Sequence, residues 1–310
     1  MLRNSPDLQG YSIPGIKDKI LITLFADDTT IYLKQTNCYN DLQTILTCWC
    51  CASGAKFNAE KTEIIPIATE THCSLILANR QLHPDDAPLP LSIHIAKEGE
   101  AIHSLGAWIG NNVNNISPWE PVIDKISLTL SRFQRSHPTL TSKTIMVQWS
   151  IGGMSQYLAK VQGMPQNIED ALEKLTHAFI WTNPSHPPIS LNQLYKDKSH
   201  GGIGLLDIHS RNEAIELTWL CEYLDISPSR PAWAFVVDIL INQLAPEGIP
   251  DQTRLNTFLQ KWDIPTRGRC ASTLPVYALV MLHTAKRYST SFAPAQLSQR
   301  LKRQMPAFYH

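Results

Sequence analysis

The sequence predicts an α+β fold in two parts, a small strand-rich part followed by an all-helical one. Two observations predict it. Up to about residue 115, short runs of alternating apolar residues surround one helical stretch. Beyond Ser117, apolar residues recur at helical spacing almost throughout, with prolines at the breaks. With 310 residues, 43% of them hydrophobic, the chain is long enough to build a core in each part.

The first strand run is KILITLF (19–25), and alternation resumes after Ala26-Asp27-Asp28 in TIYL (30–33), so a strand-turn-strand unit centred on those three residues is expected. A helix over 39–52 follows. Asn40 and Asp41 are cap-type residues, Leu42, Ile45, Leu46 and Trp49 recur at helical spacing, and Gly54 stops it. EIIPIA (63–68), LSIHIA (91–96) and SLGAWIG (104–110) read as further strands, giving an antiparallel sheet with a helix packed across it. Helices are expected over 119–136, 142–161, 167–181, 209–224, 232–243 and 251–262, punctuated by Pro118, Pro165, the loop 184–188, Pro228, Pro246 and Pro265. The chain therefore divides into 1–116, 117–265 and a C-terminal segment, 266–310.

Net charge is zero, 27 basic against 27 acidic residues, which argues against a free-standing nucleic-acid binder and suits one part of a larger machine. The balance is uneven. No Asp or Glu occurs from Ile264 onward, where Arg267, Arg269, Lys286, Arg287, Arg300, Lys302 and Arg303 make the segment basic. That segment is either a polyanion contact or a solvated tail. No apolar run approaches the roughly 20 residues of a membrane span, and MLRNSPDLQG lacks the order of a secretory signal, so no membrane partner and a cytoplasmic or nuclear location are expected. The seven cysteines have no framework spacing and read as thiols. Cys48, Cys50 and Cys51 fall within the first helix as buried small thiols, because a zinc site needs further Cys or His that the nearby sequence lacks. Gly201-Gly202-x-Gly204 reads as a tight turn before the helix that follows Asp207.

Asp27 and Asp28 stand out. Side-by-side like charges repel, and a turn gains nothing structural from the pair unless a cation sits between them. Hard carboxylate oxygens suit Mg²⁺, and two such ions about 3.5–4 Å apart clamp the attacking and leaving oxygens in nucleotidyl transfer. Against this, Asp is also a common solvated turn residue.

The order Phe25-Ala26-Asp27-Asp28, then SGAKFNAEKTE (53–63), then SLGAWIG (104–110) resembles the reverse transcriptases of non-LTR (LINE-type) retrotransposons. The likeness continues in GGMSQYLAKVQGMP, HAFIW and GGIGLLDIHSRNEAI, which are similar to the thumb region of such elements, particularly those of filamentous fungi. The resemblance implies that 1–116 is the C-terminal part of a polymerase palm and 117–265 an all-α thumb or connection domain. It implies an RNA-directed DNA polymerase acting on an RNA template and DNA primer with Mg²⁺ or Mn²⁺. Asp27 is then a ligand of the metal pair and Asp28 a supporting one, while Lys61 lies beside the phosphates of the incoming nucleotide. Asn58 caps its loop, and Gly106 and Gly110 let backbone approach the primer or simply form a turn.

Lys143, Lys160 and Lys174, with Lys196, Lys198 and Arg211, would line a duplex groove. Trp119, Trp149, Trp181, Trp219, Trp233 and Trp262 are assigned to core packing, with base stacking as the lesser alternative. The family places its other metal-binding Asp and its fingers N-terminal to this motif, and here only 26 residues precede Asp27. The chain is therefore expected to be a fragment inactive alone, poorly soluble, and self-associating through an exposed palm edge. The alternative is a non-enzymatic relic that at most binds nucleic acid or packs against an intact copy.

Overall fold

The computed structural model describes residues 1–181, 187–225, 227–244 and 274–290, with 299 and 303. They fall into two units, Met1–Asn114 and Asn115–His310, the first mixed α and β, the second helical. The helix expected over 251–262, Trp262 and most of the basic segment lie outside the described residues.

In the first unit β1 (Ile22–Phe25) and β2 (Asp28–Ile31) form an antiparallel hairpin with Ile22 opposite Ile31 and Phe25 opposite Asp28. Its base is anchored where Leu21 is buried with Leu8 and Leu42, closed over by Ile31, Leu33, Ile45 and Leu46. Leu42, Ile45 and Leu46 share one face of α1 (Tyr39–Ser53), and that apolar stripe is the reason the helix lies on the hairpin base. Gly54, at φ 73°, ends it. Neither Asn40 nor Asp41 caps its start. The buried carboxylate of Asp86 does so instead, accepting from the Tyr39 N–H (2.9 Å), the Asn40 N–H (3.2 Å) and the His83 N–H (3.1 Å).

The single antiparallel sheet expected from the sequence does not form among the described residues; three separate two-stranded ladders do. The second pairs β3 (Glu63–Ile64) with β4 (His94–Ile95) in parallel, because a helix the periodicity reading passed over, α2 (Glu70–Asn79), makes the crossover that parallel neighbours require. Thr69 caps α2 through its Oγ1, and past its end the Arg80 guanidinium donates to the carbonyls of Leu89, Pro90 and Ile93. That grip holds the return segment against Ile76, so Leu89, Ile93 and Ile95 bury with it as a second small cluster. SLGAWIG is a hairpin rather than one strand. β5 (Ile102–Ser104) and β6 (Ala107–Ile109) meet at Leu105-Gly106, whose φ values of 49° and 80° are those of a two-residue turn matched to strand twist.

The second unit packs α3 (Glu120–Gln134), α4 (Leu140–Val147), α5 (Gly153–Gln162), α6 (Gln166–Ile180), α7 (Leu191–Tyr195) and the first half of α8 (Ile208–Leu224) around Trp119, Ile126, Val147, Ile151, Leu172 and Ile208. A π-helical turn, Gln148–Gly152, joins α4 to α5, so the helix expected over 142–161 is continuous but wider in its middle. The turn is braced by Arg211, whose guanidinium donates to the Gly152 carbonyl (3.3 Å) and to Ser155 Oγ (2.9 Å). A second core joins the end of α8 to α9 (Ala232–Asn242) and α10 (Val276–Arg287) through Leu220, Tyr223, Val237, Ile241, Ala278 and Met281. Part of the segment read as a basic tail is therefore α10, a packed helix with buried apolar residues. Charge counting concealed its apolar run.

Candidate functional site

The β1–β2 hairpin turns at Ala26-Asp27, and Asp28 is already the first residue of β2. Two-residue loops require a positive φ, and Ala26 takes it, at 51°, where an L-residue is strained by its Cβ. Cross-strand pairing puts Asp28 on the same face as Phe25, while Leu24 shares the opposite face with Thr29. The hairpin tip projects: Leu24 is 68% and Phe25 67% exposed, and both carboxylates face solvent. Among the described residues neither carboxylate takes part in a hydrogen bond or ion pair. Two adjacent carboxylates fit a Mg²⁺ or Mn²⁺ ion loosely, with water completing the shell. Among the described residues no group of three or more His, Cys, Asp or Glu is placed to hold a metal.

Lys61 closes a single 3-10 turn, Ala59–Lys61, and its ammonium is exposed. Asn58 shapes that turn: its Oδ1 accepts from the Glu60 N–H (3.0 Å) and its carbonyl from the Lys61 N–H (3.2 Å) and Thr62 Oγ1 (3.0 Å). No ion pair links Lys61 to Asp27 or Asp28 among the described residues. Gly106 is a hairpin turn residue. At Gly110 a Cβ would stand 2.2 Å from the Glu100 carbonyl oxygen, so the close approach that this glycine permits is to its own chain.

Two of the six cations expected to line a groove are committed to the protein itself. Lys143 is 8% exposed, with its Nζ donating to the Ile180 carbonyl at the end of α6 (2.9 Å) and lying 5.6 Å from the Phe179 ring centroid. Burial lowers its pKa. A lysine spent on a helix C-terminus in the core is a packing residue, and the reading of it as a phosphate contact is corrected. Lys160 and Lys174 are exposed. Arg211 is committed to the π turn, and burial lowers its pKa. Cys48 and Cys51 are exposed and Cys50 partly so, which corrects their reading as buried thiols: they lie off the stripe that Leu42, Ile45 and Leu46 bury.

The sequence reading also mislaid Trp149. It is 73% exposed, and Ile145, Tyr157 and Val161 are exposed on the same run of helix, around a Gly153 whose Cβ position meets open space. The signal was present. Trp149 lies two residues from both Val147 and Ile151, which are core, and two residues is about half a helical turn. Between Asp124 and Glu169 the chain has no acidic residue. The exposed large apolar side chains of this run are two aromatic and two aliphatic ones, with Lys160 beside them and no acidic residue on the run itself.

No protein-family model matches the chain, and no curated protein matches it.

Proposed function

We propose that this chain is the C-terminal palm and thumb portion of a non-LTR retrotransposon reverse transcriptase, an RNA-directed DNA polymerase, and that on its own it grips a template-primer duplex without extending it. The observation that supports this most is the hairpin: Phe25-Ala26-Asp27-Asp28 folds tightly, with Asp27 in the two-residue turn and Asp28 opening the returning strand, and among the described residues neither exposed carboxylate is paired. Asp27 and Asp28 would hold Mg²⁺ or Mn²⁺, whose contribution when bound is to stabilise the oxygens of nucleotidyl transfer. With two carboxylates gathered there, in-line positioning is not supplied, so weak metal binding and no turnover are expected. The acid-free face of α4 and α5 is the duplex contact, with Trp149 and Tyr157 as stacking or groove-packing rings and Lys160 toward phosphate.

Primer extension on poly(rA)/oligo(dT) with Mg²⁺ or Mn²⁺ tests the reading, run beside Asp27→Ala, Asp28→Ala. No extension by either protein, with duplex affinity that falls as salt rises in both, is the expected result. Extension lost in the double variant would mean that the metal site is complete by another route. Trp149→Ala should weaken binding of the template's single-stranded overhang by about 1–3 kcal/mol in fluorescence anisotropy, the size of one lost stacking contact. The second reading, a non-enzymatic relic that packs against another copy, is favoured by the strand edges beside Leu24 and Phe25, which are open among the described residues. Concentration-dependent association without duplex binding would select it.

A further inference from the structure

His209, at the start of α8, lies between two carboxylates. Its Nδ1 is 2.8 Å from Glu169 Oε1 on α6, and its Nε2 is 3.4 Å from Glu213 Oε1 one turn along α8. The Glu169 contact is a hydrogen bond and the Glu213 contact an ion pair; a neutral imidazole has a single N–H and no charge, so both hold together only when the ring carries both protons. Each carboxylate is tied further. Glu169, its side chain 12% exposed, accepts from Asn212 Nδ2 (2.7 Å). Glu213 accepts from Arg287 and from the Tyr288 hydroxyl (3.2 Å), at the end of α10, and one turn on Glu216 accepts from Thr284 Oγ1 (2.8 Å). One polar chain therefore runs from α6 through His209 to α10.

We propose that His209 is a proton-operated tie between α6 and α8, an ion pair with Glu169 reinforced by Glu213 while the imidazole holds both ring protons, and reduced to a neutral hydrogen bond to Glu169 when one is lost. The groups around it favour the doubly protonated form. Glu169 faces it from α6, Asp207 and Glu213 from α8, and the α10 side contributes Arg287 and Tyr288, which reach it through Glu213. Arg211 is turned away to the π turn. The hydrogen bond to Glu169, then the charges of Glu169, Glu213 and Asp207, raise the His209 pKa, against the opposing effects of burial and of a cation near a helix N-terminus. A raised folded-state pKa contributes stability that is fully present below the unfolded value and lost as pH rises through the folded one.

The full chain would be titrated by NMR on the His209 ring, and urea unfolding of wild type and His209→Gln compared from about pH 5.5 to about pH 8.5. The expected results are a His209 pKa above about 6.5 and a stability advantage of wild type over the variant that shrinks as pH passes that value. Amide exchange in α6 (166–180) and at the start of α8 should quicken over the same range in wild type and be pH-independent, after correction for intrinsic rates, in His209→Gln. A His209 pKa at or below the ordinary value, or an advantage that does not change with pH, would overturn the proposal. Should His209→Gln fail to fold, Glu169→Gln serves instead, and must lower the ring's pKa.

Discussion

The two units solve the same burial problem on different scales. In Met1–Asn114 the buried apolar residues form two small groups, Leu8, Leu21 and Leu42 in one and Ile76, Leu89, Ile93 and Ile95 in the other, and Leu24, Phe25, Ile67 and Leu91 remain exposed. In the helical unit a single cluster runs from Trp119 to Ile208 and a second joins α8, α9 and α10. A helix satisfies its own backbone and needs neighbours only for one face. A ladder of two strands leaves an open edge on each side and is marginal without a third. The difference is therefore one of backbone completeness: the helices satisfy their own main chain, whereas the ladders, among the described residues, leave strand edges available.

The sharpest way to break this comparison is to remove matched anchors. Trp119→Ala, at a site with 0% exposure, should cost about 3–5 kcal/mol in urea unfolding, because the rigid surrounding helices cannot collapse into the space. Leu21→Ala should cost about 2–3 kcal/mol, at the low end for a leucine, since its loosely packed neighbours can relax. Equal losses would mean that the small clusters are as well packed as the large one.

A smaller effect is expected at Lys143. Lys143→Met keeps the volume, removes a buried ammonium, and should change stability by less than about 1.5 kcal/mol. Burial disfavours the charged form, so wild-type stability should rise as pH climbs through the lowered lysine pKa toward the unfolded value, and the Met variant should lose that rise. A large loss at neutral pH would show that the bond to the Ile180 carbonyl matters more than the cost of burying the charge.

The smallest effect belongs to the hairpin. Ala26→Gly should stabilise the N-terminal unit by about 0.5–1 kcal/mol by relieving the positive φ, partly offset by the freer unfolded chain. A destabilised variant would mean that the alanine methyl makes a packing contribution at the tip.

What the sequence disclosed was local. The β1–β2 turn, α1 with Gly54, and most of the helices follow from periodicity and end signals that span a few residues. α2 was legible too, from Thr69 and the spacing of Cys73, Ile76 and Leu77, but was read as part of a strand-rich stretch. What escaped depends on groups far apart in the chain: the Asp86 carboxylate on α1, the parallel pairing of β3 with β4, and Lys143 reaching Ile180 across 37 residues. For the candidate site, the two carboxylates and their turn were readable, whereas the exposure of Trp149 required knowing which side of the helix faces the core. Spacing alone treats a tryptophan on either side alike.

The π turn at Gln148–Gly152 carries a historical consequence. A wide turn accommodates one residue more than an α-helical turn would, so it behaves as the trace of an insertion that the helix absorbed rather than expelled. Four-residue steps advance about 40° each in an α-helix, and the wide turn sets part of that drift back, which keeps Ile145, Trp149, Tyr157 and Val161 along one line. Deleting a single residue there would leave a longer regular helix with Leu158 and Ala159 still facing the core, and would change only which side chains the turn itself presents. For a lineage of such chains, that turn is where a reading-frame-neutral change of one codon would alter what the surface presents without altering how the core is built.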